Sequence, residues 1–361
     1  MIIAKNFKHW FLRKCDERKR KRRMKDHIRE LEVHRKLTKA QKKEVQDFYK
    51  GLIGKKVSLF THEYCYSRTG VFSKNYVPSD LYYCNLLPKA NKTSVMQAYR
   101  DKNMFDIIFP GENLPHSYLK NRNGYYYFEG RAVSESDAIH LCRNIGQVVI
   151  KPTWSAKGHG IQVVNIIDGH VEATGQLLDK LFRDYKKNFI IQACIQQHER
   201  MSALNPTSVN TMRILSYRSG MEVLIIYAIV RIGHLGSVVD NQSSGGICTT
   251  IDKDGRLGKY AFGGYNEDKI EKTDTGIVLD GYQLPSYDKT IEMVKRLHTN
   301  LPYFDIVGWD MAIDENGDPV LIEYNLGPGL SQTAFCSGMG EHTERIIREL
   351  WPRQNSKYPI R

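Results

Sequence analysis

Two alternating apolar runs joined by an Asn-Gly turn, near the carboxyl end, constrain this chain more than any other feature. The runs cover residues 307–313 and 320–325. Asn-Gly between such runs signals a hairpin, because a type I′ turn needs positive φ at both central residues. With Asn316 and Gly317 in those places, Glu315 faces Asp318, and opposed residues have numbers summing to 633. Asp310 then faces Glu323, and Asn325 lies on the same face opposite Gly308, which leaves room. Opposed side chains hold their Cβ atoms about 4.5–5.5 Å apart, so two carboxylates repel unless a cation lies between them. Two carboxylates and an amide oxygen with open space above suit magnesium, which keeps waters or takes phosphate oxygens. The same residues also fit an ordinary solvent-exposed hairpin face, with Trp309, Met311, Ile322 and Tyr324 packing the other side.

Cations and glycines upstream fit the phosphate reading. Lys151 ends the apolar strand 148–150 and precedes Pro152, an awkward place for an idle charge. Ser155, Ala156, Lys157, Gly158, His159 and Gly160 follow, and glycines let backbone N–H groups approach phosphate oxygens. No Walker pattern is present, and a hairpin turn with a surface lysine explains the stretch equally well. Arg213 and Arg231 sit in strand settings, either as surface charges or as planar clamps on a phosphoryl group. The loop from Asp240 and Asn241 to Gly245 and Gly246 either closes over substrate or joins strands.

A formal charge of +13 raises the question of nucleic acid, but its distribution answers it. Residues 1–50 hold 18 Lys and Arg against 7 Asp and Glu, which leaves the other 311 residues at +2. The run from Arg18 to Arg23 is either a solvated helix face or a contact for anionic phospholipid, with Phe7, Trp10 and Phe11 favouring the latter. Seven scattered cysteines lack paired spacings and imply a reducing compartment. The start lacks a secretion signal and the longest apolar run, 223–230, is too short to span a bilayer. The expectation is a cytoplasmic protein, with residues 5–35 available for peripheral association at the inner face of a membrane.

The pattern along the chain predicts an α+β architecture. Residues 1–55 read as a basic helical arm, in which Thr38 and Gln41 form a capping box. Residues 56–110 hold an irregular, aromatic-packed connector at 62–88 and the start of a first subdomain. Strands and helices alternate through 111–194, strands with one long helix at 287–299 fill 195–350, and 351–361 form a tail.

Taken in order, Lys102, Lys151-Pro152, the glycine loop, the strand into Gln192, Arg213, and Asp310 with Glu323 and Asn325 resemble the ATP-grasp superfamily. More narrowly, His62-Glu63-Tyr64 with Thr69-Gly70, Asp101-Lys102-Asn103, Asn210-Thr211-Met212-Arg213, Val239-Asp240-Asn241 with Gly245-Gly246, and Gly308-Trp309-Asp310 resemble the sugar-transfer-associated ATP-grasp family, over residues 59–340. The resemblance implies two α+β subdomains clasping ATP. Lys102 and Lys151 would hold the phosphates, Ser155 to Gly160 would cover them, and Gln192, Ala193, Cys194 and Ile195 would meet the adenine. Asp310, Glu323 and Asn325 would hold two Mg2+ ions, and Arg213 would neutralise charge during phosphoryl transfer. It also implies a carboxylate–amine ligase working through an acylphosphate in cell-surface polysaccharide biosynthesis, on small-molecule or glycan-linked substrates and without nucleic acid. The chain departs from the pattern in having only Gly158 and Gly160 in the loop, and Ala193 where relatives often have an acidic residue. A kinase-like phosphotransferase would use the same cations and magnesium but end at a phosphate ester. A non-catalytic nucleotide-binding protein would not need the intact Asp-Glu-Asn trio.

Overall fold

Strand-forming sequence falls in two blocks, and each block builds its own antiparallel sheet. The computed structural model describes residues 2–154, 159–237, 240, 245–263 and 269–351. The first block supplies β1 (Ser117–Arg122), β2 (Tyr125–Phe128), β3 (Arg131–Val133), β4 (Gly146–Pro152), β5 (Gln162–Ile167), β6 (His170–Val171), β7 (Gln176–Leu177) and β8 (Phe189–Ala193). They lie in the order β3-β2-β1-β8-β4-β5-β6-β7. The second block supplies β9 (Thr211–Ser219), β10 (Glu222–Ile232), β11 (Ile247–Ile251), β12 (Ala261–Phe262), β13 (Lys269–Ile270), β14 (Ile306–Ile313) and β15 (Pro319–Asn325), ordered β13-β12-β11-β10-β9-β14-β15.

Longer helices close these sheets. They are α1 (Ile2–Arg29), α2 (Lys39–Ile53), α3 (Phe60–Thr69), α4 (Glu135–Leu141), α5 (Leu178–Tyr185), α6 (Tyr287–Thr299) and α7 (Thr343–Leu350). Ala138 of α4 and Leu178, Leu181 and Phe182 of α5 pack one face of the first sheet. Met293, Val294 and Leu297 of α6 cover one face of the second, against Met212, Ile214, Trp309 and Met311. Val45 and Tyr49 of α2 and Ile346 and Ile347 of α7 cover the other, against Leu215, Tyr217 and Ile306. The predicted capping box of α2 is present, with Thr38 accepting from the Gln41 N–H and the Gln41 side chain accepting from the Thr38 N–H.

The amino-terminal segment is helical, as expected, and it is packed on the rest of the chain: α2 belongs to a hydrophobic core, and α1 rests on α3 and on the helical turn Ser79–Leu81. Residues 62–88, expected to be irregular, are largely helical, with a loop at 70–78. They form α3, that turn, a π turn at Tyr82–Leu86 and a further turn at Leu87–Ala90. Helices of one or two turns are too short to show an apolar period, and Tyr76, Leu81, Tyr82 and Leu86 are held by tertiary burial instead.

Candidate nucleotide and metal site

One face of the second sheet changes character along its strands. Ile306 of β14 and Leu215 and Tyr217 of β9 lie in the α2 and α7 core, whereas Asp310 and Arg213, on the same faces of those strands, are polar. Strand pairing sets Arg213 opposite Asp310 and Asp310 opposite Glu323, so one charged row crosses three strands. Asn325 pairs with Gly308, as the turn arithmetic predicts. An ideal Cβ at Gly308 would lie 3.0 Å from Pro328 Cβ, with Asn325 Cβ at 3.7 Å and Arg213 Cδ at 3.8 Å, so the space is taken chiefly by Pro328.

The predicted register is reached by a different route. The turn has three residues rather than two: Asp314 N–H donates to the Asp318 carbonyl at 3.0 Å, and Gly317 takes φ of 82°. Next to the turn, Met311 pairs with Leu321 and Ile313 with Pro319, one residue off the predicted sum. A bulge at Ile322 absorbs the offset and restores Asp310 opposite Glu323. Bulges re-aim side chains in this way beside functional sites. Ile322, expected in the core, instead lines a cavity, and Leu321 takes its place among the buried residues.

Asp310 is 5 % exposed and is held by both arginines. Arg213 donates to it through Nε and, at 2.7 Å, through Nη2, and Arg231 donates through Nη1 at 2.9 Å. Burial pushes the Asp310 carboxyl up, but Arg213 and Arg231 outweigh it and hold it below its ordinary value. Arg231 also donates to Asp240 at 3.2 Å, and Asp240 accepts from the Thr211 hydroxyl. Asp240, expected to contact substrate, is thus turned inward as a brace for Arg231. Burial raises its carboxyl against the pull of that arginine. Thr211 carries no role of its own in the sequence, because nothing in its own strand shows what the loop beyond β10 brings to it.

Lys102 opens the short turn Lys102–Met104 and donates to Glu323 Oε1 at 3.1 Å. Lys151 is 8 % exposed on β4, beside Lys102 and Glu323. Burial, with Lys102 adding to it and Glu323 opposing, pulls its amine down to about 8. Both lysines line a cavity of about 470 Å³ with Phe105, Phe109, Leu114, Pro115, Gln192 and Ile322. Lys102 also lines a neighbouring cavity of about 300 Å³ with Arg100, Thr153, Trp154, Glu323, Tyr324 and Asn325. The Gln192 side chain donates to Ser117 Oγ at 3.0 Å, while its own oxygen is buried without a hydrogen-bond partner among the described residues. Ala193 is the last residue of β8 and donates its N–H to the His116 carbonyl at 2.8 Å, so Cys194 and Ile195 lie beyond regular pairing.

Ser155, Gly158 and Asn241 lie outside the described residues. Gly160, with φ of 74°, closes the base of the glycine loop: an ideal Cβ there would lie 2.9 Å from Pro152 Cγ, and its carbonyl accepts from the Tyr185 hydroxyl at 2.7 Å. Gly245 and Gly246 immediately precede β11, whose Ile247 pairs with Ile232, the residue after Arg231. The loop after Asn325 is anchored by the Tyr82 hydroxyl on the Pro328 carbonyl at 2.9 Å and by Tyr227 on that of Gly329 at 3.1 Å.

Among the described residues no three His, Cys, Asp or Glu side chains group as a metal cage. Open oxygens come from Glu323 and Asn325, while both Asp310 oxygens accept from arginines. Glu323 and Asn325 face the smaller cavity, and Asp310 lies opposite Glu323. Hard oxygens with vacant positions fit magnesium that shares its coordination with phosphate. Four cations, Lys102, Lys151, Arg213 and Arg231, stand among three carboxylates, Asp240, Asp310 and Glu323. Lys120, Asp106, Glu112 and Glu129 also line the larger cavity and Arg100 the smaller one, so it is the grouping of cations about the row, not a net charge of the cleft, that would meet a polyanion.

A family model described as sugar-transfer associated ATP-grasp matches residues 83–346. No curated protein matches the sequence. Among solved structures, an L-amino acid ligase from Bacillus licheniformis is 13% identical, with 70% of this chain and 49% of that one covered and a TM-score of 0.41. The chain therefore spans about half the length of that enzyme. A D-alanine–D-alanine ligase from Bacillus anthracis is 14% identical, with 70% and 67% covered and a TM-score of 0.39. The biotin carboxylase domain of a Hydrogenobacter thermophilus 2-oxoglutarate carboxylase, solved with MgADP, is 12% identical, with 75% and 49% covered and a TM-score of 0.42.

Proposed function

The chain belongs to the sugar-transfer associated ATP-grasp family, and from that premise we propose that it is an ATP-dependent ligase joining a carboxylate to an amine or related nucleophile. The observation that carries this reading is the Arg213–Asp310–Glu323 row, whose Glu323 end lines the smaller cavity beside Lys102, with Lys102 and Lys151 lining the larger one. In this reading the larger cavity takes adenosine, with Ile322 and Phe105 as apolar walls, the unpartnered Gln192 oxygen as acceptor for an amino group, and Cys194 and Ile195 beyond it. Lys102 and Lys151 carry the phosphate chain toward the smaller cavity.

Asp310, Glu323 and Asn325 would hold magnesium, which when bound neutralises phosphate charge and orients the γ-phosphoryl group. Arg213 and Arg231 supply planar donors beside that position, where charge accumulates as a carboxylate attacks phosphorus. Asp240 and Thr211 keep Arg231 aimed. An acylphosphate formed there is captured by the nucleophile, giving an amide, ADP and phosphate. Modification of a cell-surface polysaccharide or its precursor is the substrate context drawn from the family's association with sugar transfer.

Product analysis tests the assignment. Incubation with ATP, magnesium and pooled amino acids and sugar acids, followed by mass spectrometry, is expected to give ADP with a new amide. ADP with a phosphorylated hydroxyl would replace the ligase by a phosphotransferase, and no nucleotide turnover with any pool would sink the enzymatic reading.

A further inference from the structure

The basic run of α1 is divided by the way the helix packs. Its inner rows are consumed by the protein. Glu17 is buried between Lys14, at 2.8 Å, and Asn85, at 3.2 Å, and Lys21 pairs with Asp80 at 3.3 Å. Arg20 lies 3.9 Å above the Tyr83 ring, and Ile28 is buried. The outer rows are different. Phe11, Arg18 and Arg22 follow one another at seven and four residues, and Leu12, Lys19 and Arg23 do the same one position on, so the six make two adjacent stripes on one side of the helix. All six are exposed, Phe11 by 53 % and Leu12 by 50 %. Among the described residues, none of these four cations has a carboxylate within ion-pair distance; Arg23 donates to His27 at 3.3 Å.

We propose that this outer face of α1 docks on a bilayer rich in anionic phospholipid. Charge complementarity supports it: four cations with no acidic partner among the described residues lie side by side, while the chain beyond residue 50 is nearly neutral. The apolar pair choose lipid over a soluble polyanion. Phe11 and Leu12 sit two turns before the cations in the same stripes, as in helices that lie in the membrane interface with apolar groups sunk among the acyl chains. No described helix is long and apolar enough to cross a bilayer, so the contact is peripheral. Docking would bear on the cleft through Tyr83, whose hydroxyl lies 3.1 Å from the ideal Cβ position of Gly329, in the loop that follows Asn325.

Vesicle sedimentation with the full chain tests this, using phosphatidylcholine alone and phosphatidylcholine mixed with phosphatidylglycerol. The protein is expected to sediment with the mixed vesicles at low salt and not with the neutral ones. Each cation near such a surface multiplies partitioning about fivefold, so R18Q/K19Q/R22Q/R23Q is expected to lose about two to three orders of magnitude. F11S/L12S is expected to keep weaker binding that vanishes at lower salt than for the unaltered chain. Equal binding to both vesicle types, no binding to either, or full binding by the quadruple variant would overturn the proposal. So would retention on heparin without vesicle binding, which would assign the face to a soluble polyanion. Should the quadruple variant misfold, the salt dependence of the unaltered chain decides instead: release from mixed vesicles as salt rises supports the proposal, and salt-independent binding overturns it. The surface lies outside both cavities, so its failure leaves the ligase reading untouched.

Discussion

Replacing Asp310 by asparagine removes the one carboxylate shared by Arg213 and Arg231. A pair of unit charges about 4 Å apart is worth about 4 kcal/mol at an effective dielectric near 20, so two such contacts amount to about 8 kcal/mol gross. Asparagine recovers part of this, because a buried carboxylate costs several kcal/mol to desolvate, and a net loss of about 3–5 kcal/mol is typical of a broken buried pair. In a chain this long, that lowers the melting temperature by about 5–10 °C. Thermal unfolding at low salt should show the drop, and inorganic tripolyphosphate should recover more of it in the variant than it adds to the unaltered protein. The second effect follows because the variant leaves four cations against two carboxylates. The pH dependence has a definite sign. Asp310 titrates below its ordinary value of 3.8, so its stabilisation is present above that value and is lost as pH falls through the lower, folded-state value. The gap between variant and unaltered chain should therefore close in acid. An unchanged or raised melting temperature, or no response to tripolyphosphate, would refute the electrostatic account of the site.

Other outcomes follow from the same structure. His62 and His298 are buried, and burial pulls both down to about 4 from 6.5. The unfolded chain then binds more protons between those values, so stability is full above about pH 6.5 and falls toward pH 4, by at most roughly 3 kcal/mol per histidine; urea midpoints at pH 7 and pH 5 measure it, and equal midpoints would contradict it. Lys151, with its amine at about 8, should take up a proton when a polyphosphate binds near pH 8.5, seen by calorimetry as an apparent enthalpy that varies with the buffer's ionisation heat. Deleting Ile322 should leave Asp310 opposite Glu323, since it removes the bulge residue while the pairs on either side stay in register, but it strips a wall from the larger cavity. A crystal structure of that variant with Glu323 turned to the core face would show that the bulge is not what sets the register.

Much of the second sheet was legible in sequence because the relevant interactions are local. Alternation with period two places Trp309, Met311 and Tyr324 in the core and Asp310, Glu323 and Asn325 on the other face, and the Thr38–Gln41 cap marks the start of α2. Even there, agreement at Asp310 and Glu323 comes from a three-residue turn and a bulge whose offsets cancel, a compensation that no propensity announces. Tertiary structure alone brought Arg213 and Arg231 onto Asp310 and Lys102 onto Glu323, the last across 221 positions of chain. It also set Asp240, a substrate-binding candidate, against Arg231 as a brace, and divided the basic helix into a docked side and an open one. The physical reason is common to all of these. A strand's face is written in its own residues, whereas its neighbours depend on the order in which strands join the sheet, and that order is decided by burial summed over the whole chain.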